Sequence, residues 1–228
     1  MKFLYLYINL FSILIPLTFS FHPKIKFHKE WKFVLPGILI AGLVYLTWDV
    51  LFTRSGVWGF NSLYITGYRI LNLPFEEVFF FIAIPYASLF THYCISKFYP
   101  KFYMPALGVK RISVFLIVLL LLMAFIFRER AYTSVNFLVT ATILSLSLAL
   151  MPKLLSLFLL NYLLILIPFF LVNGVLTGSF IEEEVVWYNN AETLGIRLGT
   201  IPLEDVFYGL GMLLLAQLIA ELLRKRFV

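Results

Sequence analysis

Runs of about twenty apolar residues recur along this chain from end to end, and that pattern leaves few folds open. A helix needs about 20 such residues to cross a bilayer, and inside hydrocarbon only helices and closed barrels satisfy every backbone amide. On that ruler spans are expected at 3–21, 34–52, 75–95, 112–127, 133–151, 154–177 and 203–223. The expected fold class is therefore an all-α integral membrane protein with about seven transmembrane helices. Composition agrees: 62% of the residues are hydrophobic and 13% charged, against roughly half and a quarter in soluble domains. No stretch is polar and long enough to form a separate soluble domain of ordinary size. Lys2 ahead of the first apolar run and Ser20 after it also fit a signal peptide.

Charge distribution gives an orientation. The segments 22–33, 96–111, 152–153 and the C-terminal tail fall on one side of a seven-span chain and carry most of the Lys and Arg, from Lys24 and Lys26 through Lys110 and Arg111 to Arg224, Lys225 and Arg226. Positive loops stay cytoplasmic, so the C-terminus is expected inside and the N-terminus outside, which argues against a signal peptide. The formal charge of +6 is then assigned to loops beside anionic lipid and not to nucleic acid. A single cysteine, Cys94, excludes an internal disulfide, and His22, His28 and His92 lack ligand spacing, so no metal is expected.

The chain also repeats itself. A shift of 128 positions, the interval from Asn61 to Asn189, also superposes Gly67 on Gly195, Arg69 on Arg197, Pro74 on Pro202, Glu76 on Glu204, Val78 on Val206 and Phe79 on Phe207. Four residues around Glu182 to Glu184 read as a local insertion; without them Asp49 falls on Asn173 and Thr53 on Thr177. A match at a fixed interval signals duplicated architecture. The expected division is a first three-helix repeat over 1–111, a linker helix over 112–132 and a second repeat over 133–228. An odd-numbered unit needs one extra helix for its second copy to keep the same orientation. Parallel copies bring equivalent residues to one depth around a shared cavity.

Each copy enters its last helix through a proline, an apolar residue and two acids: Pro74, Phe75, Glu76, Glu77 and Pro202, Leu203, Glu204, Asp205. Proline and first-turn acids suit a helix start, yet ionisable groups at membrane depth are costly and mark pathways or reaction centres. Adjacent helical residues point about 100° apart, so one acid per copy is expected to face the cavity. Were Glu76 and Glu204 to approach each other across the pseudo-twofold axis, one could stay protonated as a general acid; the competing picture pairs them with Arg69 and Arg197. Asp49, beside Trp48, needs a partner such as Arg54, Arg69 or Asn61. Aromatic residues crowd the same places, with Trp58, Phe60, Phe79, Phe80 and Phe81 in one copy and Trp187, Tyr188, Phe207 and Tyr208 in the other. They fit an interfacial belt, packing, or faces that stabilise a cation.

Missing residues narrow the chemistry further. The two aspartates, Asp49 and Asp205, cannot build the aspartate-rich magnesium sites of prenyl transfer. Gly209 with Gly211 inside a helix is no dinucleotide site. The last span holds no lysine for a retinal Schiff base. A carrier with matched acids in parallel repeats stays open.

The residues Trp48-Asp49, Thr53, Gly56, Trp58, Phe60-Asn61, Leu73-Pro74-Phe75-Glu76-Glu77 and Phe80-Phe81, with Asn173-Gly174, Tyr188-Asn189, Gly195-Ile196-Arg197 and Ile201-Pro202-Leu203-Glu204-Asp205, resemble the heterodimeric-type lycopene cyclase family of carotenoid biosynthesis. In that family two homologous three-helix polypeptides act together or fused, and this chain resembles a fused form. The resemblance implies proton-initiated, redox-neutral closure of linear carotenoid ends to β-ionone rings, lycopene giving γ- and then β-carotene. It implies Glu76 and Glu204 as leading acid or base, Glu77 and Asp205 in reserve, and Asn61, Asn189, Arg69 and Arg197 as orienters. Asp49, Trp58, Phe80 and Tyr208 complete the expected substrate contacts. No cofactor is implied. The expected partners are lycopene or a related linear carotenoid, membrane lipid, and a second copy or other carotenoid-pathway enzymes, with no nucleic acid. The expected location is a bacterial cell (inner) membrane. A carotenoid- or lipid-binding transport protein and a cyclase of a longer carotenoid remain the alternatives.

Overall fold

The computed structural model describes residues 2–227. Seven α-helices carry the fold: α1 (Leu4–Phe19), α2 (Trp31–Arg54), α3 (Phe75–Phe98), α4 (Ala106–Ile126), α5 (Ala131–Leu150), α6 (Pro152–Leu176) and α7 (Leu203–Phe227). Six of them are long and apolar enough to cross a membrane. The seventh, α1, has 16 residues, about 24 Å at 1.5 Å per residue, a shorter helix than the expected span 3–21. Internal prolines Pro16, Pro85 and Pro168 are tolerated where neighbouring helices satisfy the freed carbonyls.

The duplication is built into the packing. α1 lies along α3, and its counterpart α5 lies along α7. The same asparagine locks each pair: Asn9 Nδ2 donates to Glu76 O at 2.8 Å and Asn136 Nδ2 to Glu204 O at 2.7 Å. α2 runs along both α3 and α7, while α4 packs on α5 and α6 with most of its surface turned outward, burying only Val109, Ser113 and Leu120. Tyr132 stands in the first turn of α5, which begins at Ala131; the Ala131 amide donates to Glu192 Oε2 at 2.8 Å.

The two ends of the bundle differ. At one end lie residues 22–30, 99–105 and the tip of α7, joined by Lys97 Nζ to Ile25 O at 2.7 Å and by the Arg224–Glu30 ion pair at 2.6 Å. At the other end the loops after α2 and α6 form short strands. β1 (Trp58–Phe60), β2 (Arg69–Ile70) and β3 (Leu73–Pro74) belong to the first loop, β4 (Val186–Tyr188), β5 (Arg197–Leu198) and β6 (Ile201–Pro202) to the second. β2–β3 and β5–β6 are matching hairpins, whereas β1 pairs antiparallel with β4 across the halves. Gly67 and Gly195, at φ 95° and 73°, occupy equivalent points with open space around each Cα, so the repeat keeps glycine there for its left-handed backbone and not for room.

Candidate active site

A cavity of about 240 Å³ lies between α1, α3, α6 and α7 under the β1–β4 strap. Asp49, Glu77 and Asp205 line it, together with the aromatic side chains of Tyr5, Trp58, Phe60, Phe80, Tyr132, Tyr188 and Tyr208. No Lys, Arg or His is among its lining residues.

The first turn of the last helix in each repeat sorts its two acids by rotation. Glu77 accepts from the Tyr5 hydroxyl and Asp205 from the Tyr132 hydroxyl, each at 2.5 Å, and both acids face the cavity. Glu76 and Glu204 turn the other way and lie outside the cavity lining. Glu76 Oε1 accepts from the amide of Thr66 at 2.6 Å, and Glu204 Oε1 from the amide of Leu194 at 2.5 Å and the hydroxyl of Thr133 at 2.6 Å. Each is fully buried and holds the loop of its own repeat.

Despite this symmetry the two cavity acids have different surroundings. Asp205 receives three donors: Tyr132 on Oδ1, and Tyr188 at 3.0 Å and Asn173 at 3.1 Å on Oδ2. Glu77 receives the Tyr5 hydroxyl alone. In the first half the position of Asn173 is taken by Asp49 and that of Tyr188 by Phe60, so an amide donor becomes an acid and a hydroxyl disappears. Asp49 does not pair with Arg54, Arg69 or Asn61. Its Oδ1 accepts from Trp58 Nε1 at 2.5 Å and Thr53 Oγ1 at 3.2 Å, and its Oδ2 is buried without a partner.

The remaining expected residues divide between wall and scaffold. Trp58, Phe80 and Tyr208 are on the wall; Trp58 is buried, not belt-like, with its ring 5.0 Å from Tyr132 and 6.1 Å from Tyr188. Asn61, Asn189, Arg69 and Arg197 are outside the lining. Asn61 Oδ1 accepts from Leu63 N and Asn189 Oδ1 from Ala191 N, both at 3.0 Å, side chains closing turns on their own backbone. Arg69 Nη1 donates to Asn72 O at 2.9 Å and Arg197 Nη1 to Thr200 O at 2.6 Å, closing the two hairpins. The inserted Glu183 binds Asn61 Nδ2 at 2.8 Å and so ties the two loops together. Tyr5 and Tyr132 escaped the sequence reading, although Tyr5 with Asn9 and Tyr132 with Asn136 form the same i, i+4 polar pair on the first helix of each repeat.

Fold and site together define a membrane protein with a duplicated core and a carboxyl-lined, aromatic-walled cavity. Residues 2–95 and 129–223 match the lycopene cyclase family, leaving out the linker helix, and the chain belongs to that family in a two-repeat form. Among its relatives is the bifunctional lycopene cyclase/phytoene synthase of Aspergillus niger, 37% identical over 79 residues that make up 35% of this chain and 13% of the relative. Proteins of the same description from Neurospora crassa (32% over 60 residues, 26% of this chain and 10% of the relative) and Podospora anserina (33% over 67 residues, 28% and 11%) are also similar. The matches thus span about an eighth or less of those relatives' length. No solved structure matches.

Proposed function

We propose that this chain is a lycopene β-cyclase that closes the ends of linear carotenoids without redox change, giving γ- and β-carotene. The observation that carries the reading is the set Glu77, Asp49 and Asp205 on one apolar, aromatic cavity with no cation in its wall. Carboxyls facing one another without a counter-charge titrate as a set and hold protons in common, which supplies an acid and a base in the same space.

The hydrogen-bond asymmetry supports a division of roles. Glu77, with one donor and Asp49 close by in the cavity wall, delivers a proton to C2 of the terminal double bond. The cation at C1 is attacked by the C5–C6 double bond, forming the C1–C6 bond and moving the charge to C5 beside the aromatic faces of Trp58, Tyr188 and Tyr208, which attract it. Asp205, whose carboxyl oxygens are oriented by three donors, removes the C6 proton to leave the C5–C6 double bond. One proton enters and one leaves, so the product has the mass of the substrate, as an isomerase-type reaction requires. Glu76, Glu204, Asn61, Asn189, Arg69 and Arg197 act in this scheme through the loops that roof the cavity.

The two repeats are proposed to run through α3 and from α5 onward, with α4 as the linker; the helix bounds support starting the second repeat before Tyr132. The basic end of the bundle is proposed to be cytoplasmic, which places the acid-bearing loops and the N-terminus on the opposite side. The similar proteins come from fungi and lend no support to a bacterial inner membrane.

Expression of the chain alone in a lycopene-accumulating bacterial host tests the function. Pigment converted to γ- or β-carotene of unchanged mass is the expected result. Lycopene left unaltered by membrane-inserted protein would contradict it, and pigment bound or moved with unchanged end groups would favour the transport reading.

A further inference from the structure

The cavity has a roof, a floor and one open side. The strap β1–β4 roofs the acid end, extended by Asn61 N to Val185 O and Asn189 N to Val57 O at 2.9 Å each. The floor is a polar clasp between α6 and α3: Asn161 Nδ2 reaches His92 Nδ1 at 2.9 Å and Ser96 Oγ at 3.0 Å. Between them the wall is interrupted. Ser12 and Pro16 of α1, Ala87 and Thr91 of α3, and Pro168 and Phe169 of α6 line the cavity yet remain partly or fully exposed. The outer surface beside them is apolar, with Leu14, Ile167 and Leu171 all exposed. From Glu77 to Thr91 along α3 is about 21 Å at 1.5 Å per residue, so the opening is a long slot that starts at the acids and runs toward the far membrane face.

We infer that this slot admits one terminal half of a linear carotenoid sideways from the lipid and leaves the other half outside the protein, so that only one end group is read. The inference rests on the cyclase reading and deepens it. Its substrate class is any linear isoprenoid polyene with one open end, whatever group the other end carries. The duplication does not supply a second slot among the described residues, because the related α2–α7 interface is shut by direct backbone contact at Gly37. Two rings on one molecule therefore require two binding events, with release and reversal between them.

The test uses the full chain in lipid vesicles with two substrates: lycopene, and a carotenoid with one open linear end and a bulky aryl group at the other. Ring closure at the open end of both, with kcat/KM within about threefold, is expected. A tenfold or greater loss on the aryl-capped substrate, with lycopene still cyclised, would overturn the inference and leave the cyclase reading standing. No ring formation from either would overturn both. Ala87→Trp, which narrows the slot at a position remote from the acids, should raise KM about tenfold for both substrates with a smaller change in kcat. An unchanged KM in a membrane-inserted Ala87→Trp protein would overturn lateral entry.

Discussion

The α2–α7 seam and the α3–α6 slot descend from the same interface, one copy of it on each side of the pseudo-twofold axis, and the bilayer would face both. In the seam Gly37 sits directly on the backbone of Ala216 and Ala220, and Gly211 gives room to the Tyr45 hydroxyl and Thr140. Small residues let helices approach closely, and that contact is what holds helices together where the solvent is already apolar. In the slot the shift that superposes Asp49 on Asn173 puts Asn161 in place of Gly37, and the shift of 128 puts His92 in place of Ala220. Two small residues have become a hydrogen-bonded pair of larger ones. The helices meet at that clasp and part above it, where the cavity opens. One copy of the duplicated interface is thus a close joint, while the other is clasped at one end and opens above it.

Substitutions can break or sharpen that contrast. Gly37→Leu should have the largest effect, since a side chain there collides with backbone that cannot yield; overpacking costs about 1–3 kcal/mol and more where nothing relaxes. The expected outcome is loss of folded protein from membranes, measured by thermal unfolding in detergent. Next, Tyr5→Phe removes the one donor to Glu77 and should lower kcat about tenfold, whereas Tyr132→Phe leaves Asp205 two donors and should cost about threefold, both losses falling in the range of about 0.5–1.5 kcal/mol for a typical hydrogen bond. Equal losses would remove the asymmetry between the two acids. Asn161→Leu breaks the clasp at about 0.6 kcal/mol per intramembrane hydrogen bond, a small fall in thermal stability that should leave the protein folded, in contrast to Gly37→Leu. Arg69→Ala and Arg197→Ala should have the smallest effect, about threefold or less in kcat/KM, because both side chains close exposed hairpins outside the cavity.

Much of this architecture is legible in the sequence, because apolar span length and repeated identities report directly on helices and on duplication. Six of the helices follow from hydropathy. The seventh, α1, ends two residues before the expected span does, since its apolar run continues through Phe21 while the backbone turns at Ser20. The hairpins were not foreseen, because two-residue strands carry no alternation to read. The acids themselves stand out as paired blocks, but which member of Glu76-Glu77 and Glu204-Asp205 faces inward depends on helix rotation. That rotation is set by Tyr5, Asn9, Tyr132 and Asn136 on helices far away in sequence. Arg69 and Arg197 look like counter-ions by proximity in sequence, yet the hairpin geometry directs each to a carbonyl three residues on.

The most direct measurement compares two double variants in a lycopene-accumulating host, with membrane protein levels checked by immunoblot. Glu77→Gln with Asp205→Asn removes both proposed proton-transfer groups from the cavity and should reduce ring formation by at least about 10²–10⁴-fold. Glu76→Gln with Glu204→Gln keeps an acceptor oxygen for Thr66 and Leu194 and should still form rings. Rings from the first variant, or their loss only in the second, would contradict the assignment of the chemistry to Glu77 and Asp205.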